Sequence, residues 1–205
     1  MPPVRNRRAQ HSEATRSALL DAALRRFVEH GYAATTLEDV ATDIRATRGA
    51  VYHHFAGKSA LFEAVFDRVE TETFRRVVER GAQAGTPWDA MLAGIEVFLD
   101  RCCEPEYARI VWQEAPVALG WHRLRNLEER YAYSVVAETV RALTELGELP
   151  EHPVEPVSRI MFNVFGTAGM ALAETPDADR GRVRDEYAGV IRHLLTSVRV
   201  RRERS

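Results

Sequence analysis

Cysteine is nearly missing from the chain: two occur in 205 residues, and they are neighbours, Cys102 and Cys103. Adjacent cysteines are too close for an easy disulfide, so no covalent framework is expected and a reducing compartment is implied. Buried structural thiols are expected there rather than a metal or redox site. Long apolar runs are lacking too. Nothing approaches the roughly 18 residues that span a bilayer, and the opening MPPVRNRRAQHSEATR has no apolar core of a signal peptide. The expected location is the cytoplasm, without membrane contact. Strand signals are absent, with no sustained period-two run and no hairpin turn between alternating residues. The loops and pairs of common enzymes are also lacking. GKS at Gly57–Ser59 has no upstream glycine or preceding strand to make a phosphate loop. His53 and His54 are adjacent, so they cannot share a helix face as metal ligands four apart do. No serine sits in a nucleophile elbow. An enzyme is disfavoured, and no cofactor, metal or catalytic residue is expected.

Hydrophobic residues make up 45% and charged residues 28%, enough to bury a substantial all-helical core. The net charge of −2 hides an uneven distribution. Residues 1–60 carry nine bases against six acids, and the remainder carries nineteen against twenty-four. An electropositive head on an acidic body suits a protein whose head alone meets a polyanion. Lysine is almost absent: Lys58 is the single one, and every other base is arginine.

That lysine closes the most informative stretch, TTLEDVATDIRATRGAVYHHFAGKSALF at 35–62. Thr36, with Asp39 three residues on, is a capping-box start. Leu37, Val40, Ala41 and Ile44 then form one helical stripe. Thr47 caps a second short helix, in which Val51 and Phe55 face inward and Arg48, Gly49, Tyr52 and His53 point elsewhere. An outward arginine for base edges, hydroxyls and a ring nitrogen for phosphate, and a glycine for close approach are what a DNA-reading helix needs. The predicted DNA contacts are Thr36, Thr47, Arg48, Gly49, Tyr52, His53 and Lys58.

Together Phe27, Gly31, Tyr32, Thr35, Thr36, Leu37, Val40, Ala41, Thr47, Gly49, Tyr52, Phe55, Lys58 and Leu61 resemble the DNA-binding domain of the tetracycline-repressor (TetR) family of bacterial regulators. The resemblance covers roughly the first third of the chain. Where the family usually has alanine-glycine-hydrophobic-serine between the two helices, this chain has Ile44, Arg45, Ala46 and Thr47. Arg45 stands where the family prefers glycine for a positive backbone angle, a substitution costing on the order of 1 kcal/mol. The resemblance implies a repressor, released from a palindromic double-stranded operator by a small apolar or aromatic effector and acting as a homodimer. The alternative is a DNA-binding regulator whose body answers to a protein partner.

The expected organisation is all-α. A basic, disordered arm spans 1–12, and a three-helix helix-turn-helix DNA-binding domain spans 13–58. A helical effector-binding and dimerisation domain spans 59–200, and a basic tail 201–205. The first helix is expected to run from about Ser12 or Thr15 to His30, with Gly31 as its stop. Pro116 is expected to break the body after Ala115, leaving an irregular segment before a long helix from about Arg123 to Leu146. The penultimate helix is apolar on two faces and the last carries one wide apolar face, which predicts burial against a second subunit through Phe162, Gly166, Gly169, Ala173, Tyr187, Ile191 and Leu194. Trp112, Glu114, Trp121, His122 and Tyr131 combine aromatic surface with polar handles near the predicted break. They are the expected lining of the effector pocket.

Overall fold

The computed structural model describes residues 4–200, with side chains from Ala9 onward. The fold is all-helical, and no strand occurs among the described residues. The head is built from α1 (Val4–Ala34), α2 (Leu37–Asp43) and α3 (Arg48–His54). Its core is Leu19, Ala23, Phe27, Val40, Val51, Leu61 and Phe62, all with no exposed surface. Phe27 meets the Phe62 ring edge-on at 5.1 Å, and Tyr32 closes the cluster. Aromatic edges in contact add about 0.5–1.5 kcal/mol to the apolar burial. The expected arm differs from what is seen: α1 is already helical from Val4. Residues 1–3, the Arg5, Arg7 and Arg8 side chains and the 201–205 tail lie outside the described residues.

From the head, α4 (Lys58–Gly81) runs into the body without interruption. Thr86 then caps α5 (Pro87–Cys103), accepting from the Asp89 amide at 3.1 Å. After α6 (Pro105–Tyr107) the chain widens into a π-helix at Ala108–Glu114 and continues as α7 (Ala115–Glu128). A second π-helix at Glu129–Tyr133 leads to α8 (Ser134–Glu145), followed by α9 (Val154–Glu174) and α10 (Asp177–Val198).

Pro116 does not break the body as expected. It occupies the first turn of α7, at the junction where π register gives way to α, so its missing N–H falls where the hydrogen-bond ladder is already shifting. The true interruption is Gly120, at φ +71°. Gly147, at φ +67°, ends α8 with its amide on the Thr144 carbonyl, as a glycine stop should.

Candidate nucleic-acid interface and body cavity

Local chemistry builds the outer face of the head. The Thr36 hydroxyl accepts from the Asp39 amide at 3.1 Å, and Asp39 Oδ2 accepts from the Thr36 amide at 3.0 Å, a complete capping box. The Thr36 hydroxyl also donates to Asp39 Oδ2 at 2.7 Å, and this bond with that from the Thr36 amide holds the Asp39 carboxyl below its ordinary range. Arg26 of α1 grips Asp43, the last residue of α2, through two bonds of 2.7 Å. Between α2 and α3 the turn places Arg45 at φ +55°, the left-handed angle for which glycine was the expected residue. Its amide donates to Thr42 and that of Ala46 to Ala41, so the turn is kept at the cost of a strained arginine.

Thr47 then caps α3, accepting from the Ala50 amide at 3.2 Å. Val51 is the buried residue of this helix. Thr36, Thr47, Arg48, Gly49, Tyr52 and His53 are all exposed. Arg48 lies over the Tyr52 ring and pairs with Glu38 of α2 at 2.8 Å, an open ion pair whose exchange for a stronger anion costs little. A Cβ added at Gly49 would meet only the Thr47 hydroxyl, at 3.9 Å, so nothing inside the molecule requires glycine there.

Lys58 is different. Its Nζ donates to the carbonyls of Tyr32, at 2.9 Å, and Ala33, at 3.2 Å, and lies 4.4 Å from the centre of the Tyr32 ring. The residue predicted to hold phosphate therefore first caps the C-terminal carbonyls of α1, where a cation is favoured.

A cavity of about 530 Å³ opens in the body between α4, α5, α8 and α9. Phe74, Met91, Phe98, Val136, Met161 and Phe165 are among its walls, and exposed Val78, Ile160 and Val198 reach its rim. The Thr139 and Thr144 hydroxyls on its wall are already spent on the carbonyls of Val135 and Val140, each at 2.8 Å.

None of the five residues predicted to line a pocket lines this one. Trp121 is 73% exposed, and His122 is exposed beside it. The Tyr131 hydroxyl donates to Asp67 at 3.1 Å, and its ring stacks on Phe74, behind the wall. Trp112 packs on Gly169, and Glu114 holds the head. The predicted dimer residues divide likewise. Phe162 lines the cavity, Gly169, Ala173 and Ile191 are buried within the chain, and Tyr187 is packed on its core. Of that set Leu194 is exposed, and a Cβ added at half-buried Gly166 would meet nothing among the described residues. Away from the cavity rim, the large apolar residues these two helices leave exposed are Met170 on α9 with Val190 and Leu194 on α10. Of the residues of α9 predicted to meet a partner only Phe162 reaches the cavity, whose wall on this helix is otherwise Val157, Ile160, Met161 and Phe165.

One acid lies buried deep in the body. Glu70 of α4, 5% exposed, is pushed up to about 7 by burial, against the pull of the Tyr107 hydroxyl and the Arg101 guanidinium. Burial also raises nearby Glu128. Arg101 is itself buried, donating to Thr73 at 3.1 Å and pairing with Glu104.

Two family models match the chain. "Bacterial regulatory proteins, tetR family" covers residues 19–65, and "Tetracyclin repressor-like, C-terminal domain" covers 88–198. A probable acrEF/envCD operon repressor of Escherichia coli K12 is 28% identical over 131 residues, 60% of this chain and 54% of its own. An HTH-type transcriptional repressor of Mycobacterium tuberculosis is 36% identical over 111 residues, 54% of this chain and 58% of its own. The chain thus spans little more than half the length of these curated relatives. A crystal structure of a TetR-family transcriptional regulator from Pectobacterium atrosepticum is 26% identical, covers 95% of this chain and 98% of its own, and superposes with a TM-score of 0.80.

Proposed function

The chain belongs to the tetR family of bacterial regulatory proteins, and from that membership we propose that it is a sequence-specific DNA-binding transcriptional repressor, released from a palindromic operator by a small apolar ligand. The observation that carries the reading is α3. It presents Arg48, Tyr52 and His53 outward, with no acid of its own and a glycine that the interior does not need. Arg48 reads a base edge, leaving Glu38 to do so, while Thr36, Thr47, Tyr52 and His53 hold phosphates.

The body supplies the switch. A cavity of about 530 Å³ falls within the range of small-molecule sites, and its walls are apolar apart from the His152 imidazole and two hydroxyls already spent on backbone carbonyls. The ligand class that fits is neutral and predominantly apolar or aromatic. Because α4 begins at Lys58 in the head and lines the cavity with Phe74, Val77 and Val78, ligand and DNA compete for the setting of one continuous helix. A homodimer through Gly166, Met170, Val190 and Leu194 places two heads on successive major grooves, about 34 Å apart. A ligand that binds the mismatched spacing about a hundredfold better weakens operator binding by up to about 2.7 kcal/mol.

The test is to select fragments of the host's genomic DNA with the purified protein and measure the selected duplex against scrambled sequence. Arg48→Ala should cost about 1–3 kcal/mol on the selected duplex and relax base preference at one position. Unchanged specificity in that variant would remove Arg48 from the base contacts, and failure to enrich any fragment would sink the reading.

A further inference from the structure

Tyr32, at the joint of head and body, is held from two sides. The Tyr32 amide donates to Glu114 Oε2 of the first π-helix at 2.9 Å, while the Tyr32 carbonyl accepts from Lys58 of α4. Just before it, Gly31 turns α1 at φ +81°. A Cβ at Gly31 would lie 2.9 Å from Glu114 Oε1 and 3.0 Å from Arg109 Nη2, so these two side-chain ends sit directly against the glycine. Arg109 pairs with Glu114 at 2.8 Å and keeps the carboxylate aimed at that amide.

The same π-helix grips α9. The Trp112 indole fills the space over Gly169, where a Cβ would fall 2.2 Å from Cζ2. Gln113 Nε2 donates to the Ala173 carbonyl one turn further, at 3.2 Å. Three successive residues thus hold two elements: Trp112 and Gln113 hold α9, and Glu114 holds the head. On α9, Met161, Phe162 and Phe165 line the cavity and Gly169 follows one turn later, so one rigid rod touches both ligand space and Trp112. Close packing transmits displacement where loose packing would absorb it.

We propose that the π-helical segment Ala108–Glu114 transmits the state of the cavity to the DNA-binding head, Trp112 following α9 through Gly169 and Glu114 acting as the positioning residue for Tyr32. This route runs beside the α4 connection and rests on the effector reading above. π-Helical turns suit the task because they sit close in energy to α register and are frequent at functional sites.

The experiment uses the full chain, the selected genomic duplex and the neutral apolar dye N-phenyl-1-naphthylamine as the cavity probe. The quantity read is the ratio of duplex Kd with and without saturating dye, which cancels any change in basal affinity. Glu114→Ala should reduce the wild-type ratio at least about tenfold or bring it to one, and Glu114→Gln, which keeps an acceptor for the Tyr32 amide, should recover most of it. A merely structural role for Glu114 would lower the melting temperature and leave the ratio intact, which overturns the proposal. Independently of dye and DNA, Trp112→Leu should speed hydrogen exchange at the Tyr32 amide by about tenfold or more, leaving the Ile191 amide of α10 unchanged. Unchanged exchange at Tyr32 also overturns it. A wild-type protein that binds duplex identically with and without dye would refute the effector reading instead, and the exchange measurement would still decide the link.

Discussion

Gly49→Ala separates what the fold wants from what the DNA surface wants, because the two should move in opposite directions. Gly49 is the second residue of α3, behind the Thr47 cap, with ordinary negative φ and open space where a methyl would go. The added Cβ meets the Thr47 hydroxyl at 3.9 Å, an ordinary van der Waals distance, so no strain offsets the gain. Glycine in a helix costs about 0.5–1 kcal/mol relative to alanine. The variant should gain up to that amount, raising the melting temperature by about 2–4 °C for a chain of this size. If the glycine is there to let DNA come close, the same methyl should weaken the selected duplex by tenfold or more, about 1.4 kcal/mol. Thermal denaturation and fluorescence anisotropy at one fixed salt concentration measure the two effects on the same sample. Higher stability with undiminished affinity would refute the close approach. Lower stability would show that Gly49 serves the fold in a way this geometry does not contain.

Two further outcomes are expected. Lys58→Ala should destabilise the head by about 1–2 kcal/mol, seen as a lower denaturation midpoint at unchanged m-value, because the Tyr32 and Ala33 carbonyls lose their donor. If it instead leaves stability alone and lowers the salt slope of DNA binding by about one, its main partner is a phosphate. Glu70 gives a pH dependence of fixed sign. Its folded value of about 7 stands above the ordinary 4.5, so the fold prefers the neutral acid. Its ionisation should therefore erode stability as pH rises from about 4.5 to about 7, by a few kcal/mol in total, with no further loss above that. Glu70→Gln should remove this decline between pH 5 and pH 8 in chemical denaturation, and a wild-type difference that survives the substitution would place its origin elsewhere.

The head was largely legible in the sequence because its determinants are local. A capping box joins Thr36 to Asp39, a cap joins Thr47 to Ala50, and the stripe Leu37, Val40, Ala41 repeats every turn. Each lies within four residues of its partner, whereas the positive angle at Arg45 was implied only by the family's preference for glycine in that turn. Lys58 shows the limit, since its bonds reach back 26 and 25 residues to Tyr32 and Ala33, a separation that periodicity does not register.

The body was legible as helices but not as a site. The apolar content of α9 is plain in the sequence; which face looks into a cavity, which onto Trp112 and which outward is not. Burial free energy depends on apolar area and hardly at all on which neighbour supplies the cover. Sequence alone therefore determined that this chain makes helices, where the short helix proposed to read DNA begins, and that Phe162 and Gly169 must be covered. Only the tertiary structure decided by what: Phe162 by the walls of a ligand-sized space, Gly169 by the indole of Trp112.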